Sequence, residues 1–317
     1  ANLTWETSST INLGLDVNLL NNRLSFVGDI YQKETTDMFV TGAELPAVTG
    51  YSAPYGNNAD MRTRGFELEL GVDIIKTPNT LWSFNVNGST YYTTILEVPE
   101  GTGSAQLNGC WTAPADAWSI AGTGGTSNNI TYLRGIGKPY YNMYIYKYGG
   151  VDPASGLPLI ASTVSSTNID NLKKTSGNVY GDIVEGNTVY TTDYTLATRQ
   201  EFGDATPDFI GGFGTSLKWK NLDFSAQFAF QIGGKFLSVA DANHYYRSDQ
   251  TGYYHMSADL KGNTFTASNT GARYPMVILN NPNSNGYTGG STIGSWAYTD
   301  MALYSASYLN VKNLTLG

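Results

Sequence analysis

In Ile11-Asn12-Leu13-Gly14-Leu15-Asp16-Val17-Asn18-Leu19, apolar side chains alternate with polar or small ones at every position. Successive side chains of a β-strand point to opposite faces, so this alternation predicts a strand with one apolar side and one polar side. Asn21-Asn22 then favours a turn, and in the next run Leu24, Phe26 and Ile30 share one face. The segment is therefore predicted to form a hairpin whose two faces meet different surroundings.

The same alternation recurs along the rest of the chain. It appears in the segments Phe66–Ile74, Trp82–Val86, Phe209–Trp219, Leu222–Ile232 and Tyr308–Leu316. In the last segment the phase changes between Val311 and Leu314, which predicts a β-bulge. A Tyr-rich ribbon around Tyr140 to Tyr148 is a further strand candidate with weaker contrast. Helical periodicity is nearly absent, with short turns at most over 169–174 and 240–247, so the fold class is all-β.

The connections between these strands alternate in length. Links after residues 20, 75 and 220 are short, whereas links across 41–60, 97–138, 149–207 and 238–304 are long and rich in Gly, Asn, Ser and Thr. Bacterial outer-membrane barrels have short periplasmic turns and long external loops. Loops of compact soluble domains have a median of about 4–6 residues. The pattern favours a transmembrane antiparallel β-barrel, with a soluble β-sandwich as the alternative.

Composition narrows the possible functions. Charged residues make up 14% of the 317 residues and the net charge is −8, which argues against nucleic-acid binding because that needs a basic surface. No run of about eighteen apolar residues occurs, so no transmembrane helix is predicted. The chain opens and stops within strand-like sequence, and we expect that residues 1 and 317 are not the termini of the mature protein.

The sequence offers little for catalysis or metal binding. Cys110 is the single cysteine, and His244 and His255 have no known metal-ligand spacing. Glu67 and Glu69 share a strand face about 7 Å apart, a separation that an inverting glycosidase pair could use, although two carboxylates in water are favoured. No GxSxG, HExxH or P-loop motif is present. We predict no enzyme activity, no cofactor and no metal.

Several short motifs, taken in order, resemble the SusC-like family of TonB-dependent outer-membrane transporters. They are Leu3-Thr4-Trp5-Glu6, Ile11–Asp16, Asn21-Asn22-Arg23-Leu24, Thr35-Thr36-Asp37-Met38, Arg64-Gly65-Phe66-Glu67-Leu68, Gly137-Lys138-Pro139, Tyr146–Pro153, Thr206-Pro207-Asp208-Phe209 and Tyr308–Gly317. One departure lies before Thr206. Many family members carry an acidic, Gly-rich stretch there, which this chain replaces, so the resemblance implies no metal site.

The resemblance implies a fold and a function. The family's barrel has 22 strands around a plug, and residues 1–317 would form a partial barrel domain of roughly strands 13 to 20. The plug domain, the TonB box and the last strands have no counterpart in this chain. The implied function is nutrient import across the Gram-negative outer membrane. Its cargo would be oligosaccharides, with peptides as the second choice. The alternative to a transporter is a soluble all-β glycan-binding protein.

The resemblance also implies partners. These are a SusD-like surface lipoprotein that closes the barrel mouth, the TonB complex acting through the plug, outer-membrane lipid, and a possible dimer of transporter–lipoprotein pairs. Aromatic side chains in the long loops are the candidates for touching cargo or this lid, because aromatic faces stack on sugars and are enriched at interfaces. The candidates are Trp111, Trp118, Tyr132, Tyr245, Tyr246, Tyr253, Tyr254 and Trp296.

Overall fold

The computed structural model of the chain describes residues 3–41, 50, 55–99, 110–114, 131–163, 188–192, 197–238, 240–241, 257–277 and 299–317. Its main element is one antiparallel sheet of seven strands, which we call the wall. In sheet order the wall strands are β1 (Thr7–Leu19), β2 (Leu24–Thr36), β5 (Asp60–Thr77), β6 (Thr80–Glu97), β14 (Phe209–Trp219), β15 (Leu222–Ile232) and β18 (Tyr308–Leu316). The two strands of the predicted hairpin and the five further alternating segments all contribute wall strands, as predicted.

Three tight turns join wall strands at one end of the sheet. They are Leu20–Arg23, Pro78-Asn79 and Lys220-Asn221. The first turn contains three consecutive residues with positive φ, and the Arg23 guanidinium donates to the carbonyls of Asp73 and Ile74 on β5. The long connections 37–59, 98–208 and 233–307 all leave from the opposite end, which we call the loop end. The short links are found as predicted and alternate with long ones. The predicted long links 97–138 and 149–207 are parts of one connection, because no wall strand lies between them.

The register keeps the two faces of the wall separate across all seven strands. Residues directly opposite in an antiparallel pair share a face, so the pairing can be followed as rows. One row is apolar throughout: Val17, Phe26, Leu70, Val86, Phe213, Phe228 and Val311. The row beside it, on the other face, is Asp16, Val27, Glu69, Asn87, Gly212, Ala229 and Asn310.

The last wall strand contains the predicted bulge. Gln227 pairs with Asn313 and Phe228 pairs with Val311, so Lys312 is an extra residue without a partner in the ladder. The insertion explains the change of phase in the sequence, because Val311 and Leu314 both stay on the apolar face. The bulge prediction is confirmed.

The long connections fold into smaller sheets at the loop end. They form a four-stranded sheet of β13 (Arg199–Asp204), β9 (Asn142–Tyr146), β8 (Thr131–Gly135) and β7 (Cys110–Pro114), a three-stranded sheet of β10 (Tyr148–Val151), β11 (Pro158–Thr163) and β12 (Thr188–Thr191), and two pairs, β3 (Phe39–Thr41) with β4 (Tyr55–Asn57) and β16 (Lys235–Leu237) with β17 (Leu303–Ser305). Two short 3₁₀ helices, Ala258–Leu260 and Asp300–Ala302, accompany them.

A compact apolar core lies at the loop end. Its buried members are Ile145, Ile160, Leu237, Leu260, Tyr274 and Ala302. The Tyr-rich ribbon from 140 to 148 is not one wall strand. Asn142–Tyr146 forms β9 and Tyr148 opens β10, in two different loop-end sheets. Tyr148 packs against this core, and its hydroxyl donates to the carbonyl of Arg273 at 3.0 Å.

Little helix is present in the described part of the chain. None of its helices has the length and apolar character needed to cross a membrane. Of the predicted helical turns, 169–174 lies outside the described residues, and of 240–247 only Ala240 and Asp241 are described, both helical.

Candidate functional site

The apolar face of the wall is open. Leu13, Leu15 and Leu309 keep 67%, 58% and 65% of their surface exposed, although each belongs to a regular strand. Soluble proteins rarely expose contiguous apolar patches of more than a few hundred Å², and larger ones mark contact with a partner or a membrane. The face therefore needs an apolar environment that the described residues do not supply.

A soluble sandwich would cover this face with a second sheet. Among the described residues, the buried apolar side chains lie at the loop end, with the exception of Ala226 on β15. No described strand packs over the rows of Leu, Ile, Val and Phe. This part of the chain thus lacks the packing that would define the sandwich alternative.

The apolar band has the height of a membrane core. On β6 it runs between two outward-facing aromatic residues, Trp82 near the turn end and Tyr92 near the loop end. The ten residue steps from Trp82 to Tyr92 span about 33 Å along the strand. At the tilt of about 40° usual in such barrels, this corresponds to an upright height of about 25 Å, the height of the apolar band of outer-membrane barrels. The Trp82 indole donates to Thr215 Oγ1 at 2.9 Å.

The opposite face of the wall is polar and carries a concavity of about 530 Å³. Asp29 stands directly opposite Glu67 in the register, and Glu69 follows on the same face of β5. Asn87 and Gln231 line the same concavity from β6 and β15. These groups are hydrogen-bond acceptors and donors on a wet surface. Glu67 and Glu69 are therefore two members of a polar lining that spans several strands.

No metal centre is formed in the part of the chain that the structure describes, because nowhere do three His, Cys, Asp or Glu side chains converge. His244 and His255 lie outside that part. Cys110 opens β7, opposite Gly135. The arrangement on the polar face supports binding and guidance of a solute through hydrogen bonds.

An ion pair stabilises the four-stranded sheet at the loop end. Lys138 Nζ donates to both carboxylate oxygens of Glu201 at 2.8 Å, and Asn142 Nδ2 donates to Oε2 at 2.8 Å. Partial burial acts to raise the pKa of Glu201, but these hydrogen bonds outweigh it and the pKa lies below its usual value. The backbone of Gly137 and Lys138 bonds with Ile95 on β6. This motif thus attaches the loop-end sheet to the wall.

A second carboxylate joins two loop-end segments. Asp300 accepts a hydrogen bond from the backbone N–H of Tyr148 at 2.7 Å. Burial raises the pKa of Asp300, and this hydrogen bond opposes part of the rise. Burial also raises the pKa of the Tyr148 phenol. The Asp300 carboxylate joins β10 to the 3₁₀ helix before β17, and the Tyr148 phenol joins β10 to the segment around Arg273.

The structure places two of the eight candidate contact residues. Tyr132 on β8 is half-buried, with its ring 5.5 Å from that of Tyr141 in an edge-to-face arrangement, and burial raises its pKa. Trp111 lies on the neighbouring strand β7, opposite Arg134. The two residues thus share one small sheet. The other candidates, Trp118, Tyr245, Tyr246, Tyr253, Tyr254 and Trp296, lie outside the described residues.

The sequence interpretation missed the neighbours of Tyr132. Tyr140 and Tyr141 pack edge to face at 4.9 Å, Tyr141 is 47% exposed, and the Arg134 guanidinium lies 4.0 Å from the centre of the Tyr140 ring. The available signal was the Tyr-rich ribbon itself, read as a wall strand. With Tyr132, these rings form an aromatic cluster at the loop end.

The two-faced wall, its tight turns at one end and its folded loops at the other define a class, the antiparallel transmembrane β-barrel. Comparison with known proteins refines it. Residues 1–143 match the family model described as TonB dependent receptor-like, beta-barrel. The chain is 27% identical over 316 residues to TonB-dependent receptor P3 of Formosa agariphila, covering 100% of this chain and 27% of that protein. It is 23% identical over 321 residues to TonB-dependent receptor SusC of Bacteroides thetaiotaomicron, covering 100% and 26%.

Solved structures agree with this fold. The chain superimposes on one described as the RagAB peptide transporter with a TM-score of 0.68 and 23% identity, over 99% of this chain and 29% of that one. The predicted resemblance to SusC-like TonB-dependent receptors and the predicted barrel fold are confirmed by these matches. The chain spans less than a third of the length of these relatives.

Proposed function

We propose that this chain forms part of the barrel wall of a TonB-dependent importer in the outer membrane of a Gram-negative cell. The observation that carries the proposal is the strict separation of faces across seven strands. The apolar rows stay exposed along a band of membrane height, and the opposite rows are polar. In hydrocarbon every backbone group must be paired, which a closed barrel achieves. The chain would supply roughly strands 13 to 20 of such a barrel.

The partners follow from the same assignment. The polar face would line the interior and contact a plug domain outside this chain, through which the TonB complex acts. The loop end would dock a SusD-like surface lipoprotein, in a dimer of transporter–lipoprotein pairs. The folded loop-end sheets and the aromatic cluster support this role, because they offer an ordered surface beyond the membrane. The mechanism is binding and gating, with no bond chemistry.

Oligosaccharides are the proposed cargo. Aromatic faces such as that of Tyr141 stack on sugar rings, and amides such as Asn87 and Gln231 suit hydroxyl groups. Peptides are the second candidate, favoured by the structural neighbours described as RagAB peptide transporters. Both cargo classes are solutes that a hydrogen-bonding interior can hold without covalent chemistry.

Transport by the full-length protein tests this function. We expect deletion of its gene to abolish uptake of one fluorescently labelled cargo class, either oligosaccharide or peptide. Complementation should restore this uptake only in cells whose TonB is intact. The protein should require detergent for extraction and should migrate differently on gels before and after heating. Recovery in the soluble fraction without detergent, or uptake of both cargo classes unchanged by the deletion, would contradict the proposal.

A further inference from the structure

The outer face of the wall changes character near the loop end. Three successive rows run across β2, β5 and β6 on this face. The first row still belongs to the apolar band and contains Ile30, Phe66 and Thr90. The second contains Gln32, Arg64 and Tyr92, and the third contains Glu34, Arg62 and Thr94. No register shift interrupts β2 and β5 between Leu24 and Thr35, so all three rows point the same way as the apolar band. The middle row therefore marks its rim.

Arg64 is held at this rim in one orientation. Its Nε–H donates to Gln32 Oε1 at 2.8 Å, and the two terminal nitrogens of the guanidinium form no hydrogen bond with the described residues. The side chain is exposed, and Tyr92 stands opposite it with 51% of its surface exposed. A guanidinium anchored through Nε presents its remaining donors as a planar fork that matches a phosphate.

The positive charge of Arg64 is not neutralised by the described residues. Arg62, which lies two positions nearer the loop end on β5, forms an ion pair with Glu34 at 2.9 Å. Arg64 has a neutral partner, and no carboxylate of the described chain forms an ion pair with it. One uncompensated cation thus lies on the outer surface, one row above Phe66 and beside an aromatic ring.

The height of this cation decides what can reach it. Arg64 lies in the same row as Tyr92, which bounds the apolar band, and two residues beyond Phe66. Two residues are about 7 Å along a tilted strand, so Arg64 is about 5 Å above Phe66. This is the level at which lipid headgroups begin, and where Tyr and Trp side chains are enriched. A solute crossing the barrel interior cannot contact it, because it lies on the outer face.

We propose that Arg64, oriented by Gln32 and flanked by Tyr92, binds the phosphate of a membrane lipid headgroup. The inference rests on the proposed function, because it requires the outer face to lie in a bilayer. The lipid chains would lie along Phe66 and Ile30, and the phosphate would accept hydrogen bonds from the guanidinium fork. A free phosphate ion would lack the apolar contact and would compete with water at an exposed site.

The full-length transporter, purified in mild detergent, allows a direct test. The probe is phosphatidylglycerol in mixed micelles, with diacylglycerol as a lipid that lacks phosphate and inorganic phosphate as an ion that lacks chains. The readout is the lipid concentration that gives half of the maximal rise in the temperature of the folded-to-unfolded gel transition. We expect phosphatidylglycerol alone to raise this temperature.

Variants then locate the site. Arg64→Gln should require about tenfold more phosphatidylglycerol, the loss expected for one charge-assisted contact. Lys33→Gln is the matched control, because Lys33 is exposed at the same height on β2 but on the inner face, and it should behave as the wild type. If Arg64→Gln does not accumulate, Arg64→Lys serves instead and should also bind more weakly, since an ammonium cannot form the fork.

The outcomes separate the two proposals. Equal titrations for the wild type and the Arg64 variant, or an equal effect of inorganic phosphate, would overturn the lipid site and leave the barrel intact. A protein that is soluble without detergent would instead overturn the proposed function itself.

Discussion

Glycine is required where neighbouring wall strands approach most closely. A Cβ on Gly211 would run into the carbonyl oxygen of Asn87 on β6, a backbone atom that cannot move without breaking the ladder. On Gly14 of the edge strand β1, the nearest obstacle is the tip of the Asp29 carboxylate, which can rotate away. The two positions therefore differ in what a methyl group displaces.

We expect Gly211→Ala to destabilise the folded barrel by about 1–3 kcal/mol, as overpacking usually does. Gly14→Ala should cost clearly less. The measurement is the midpoint of the folded-to-unfolded gel transition for each full-length variant. Equal midpoints for the two variants would show that the strands do not approach as closely as the register implies.

The ion pair of Lys138 and Glu201 should make the loop-end sheet sensitive to acid. The pKa of Glu201 is lower in the folded protein than its ordinary value of 4.5. The ionised carboxylate therefore contributes fully to folded-state stability above pH 4.5, and this contribution is lost as the pH falls below that value. We expect Glu201→Gln to increase hydrogen exchange of the β8–β9 segment near neutral pH. The difference from the wild type should shrink in acid, and a difference that persists unchanged would exclude the carboxylate as its cause.

The wall strands show what alternation can and cannot reveal. The sequence pattern marks Phe66–Ile74, whereas β5 extends over Asp60–Thr77. Beyond the apolar band both faces are polar, as at Arg62 and Thr63, so the periodicity ends although the hydrogen-bonded ladder continues. The presence of the strands and the face to which each side chain points were thus predictable, because each face of the wall has one kind of surroundings, apolar or polar. Strand length was not.

The bulge at Lys312 offers a test of register. Deleting Lys312 leaves Val311 and Leu314 on the apolar face and converts β18 to regular alternation. Deleting Ala229 from β15 removes a paired residue and forces Phe228 and Phe230 onto opposite faces. We therefore expect the first deletion to give heat-modifiable protein in the outer membrane and the second to give none. Similar yields for both would contradict the register.

At the scale of the whole molecule, the loop end escaped prediction for a physical reason. The ribbon from 140 to 148 has tyrosines on both faces, and tyrosine serves equally at a lipid surface, in a core and in a binding site. The core around Ile145 and Tyr274 joins segments far apart in the chain, which no local period reports. Of the candidate contacts, Tyr132 and Trp111 lie on neighbouring strands because β7 pairs with β8, and the sequence pattern does not predict this pairing.

The assignment of the two faces can be tested with neighbouring residues. Val86 and Asn87 are adjacent on β6, at the level of the central apolar row, and point to opposite sides of the wall. If the Val86 side faces hydrocarbon, Val86→Arg should cost about 2–4 kcal/mol, the penalty for Arg near the bilayer midplane. Asn87→Arg adds the same side chain to a wet face that already contains Glu67 and Glu69, so its penalty should be small. We expect heat-modifiable, membrane-inserted protein from Asn87→Arg and little from Val86→Arg. The reverse order would place lipid on the other side and would require the interior, the plug contact and the lipid site to exchange faces.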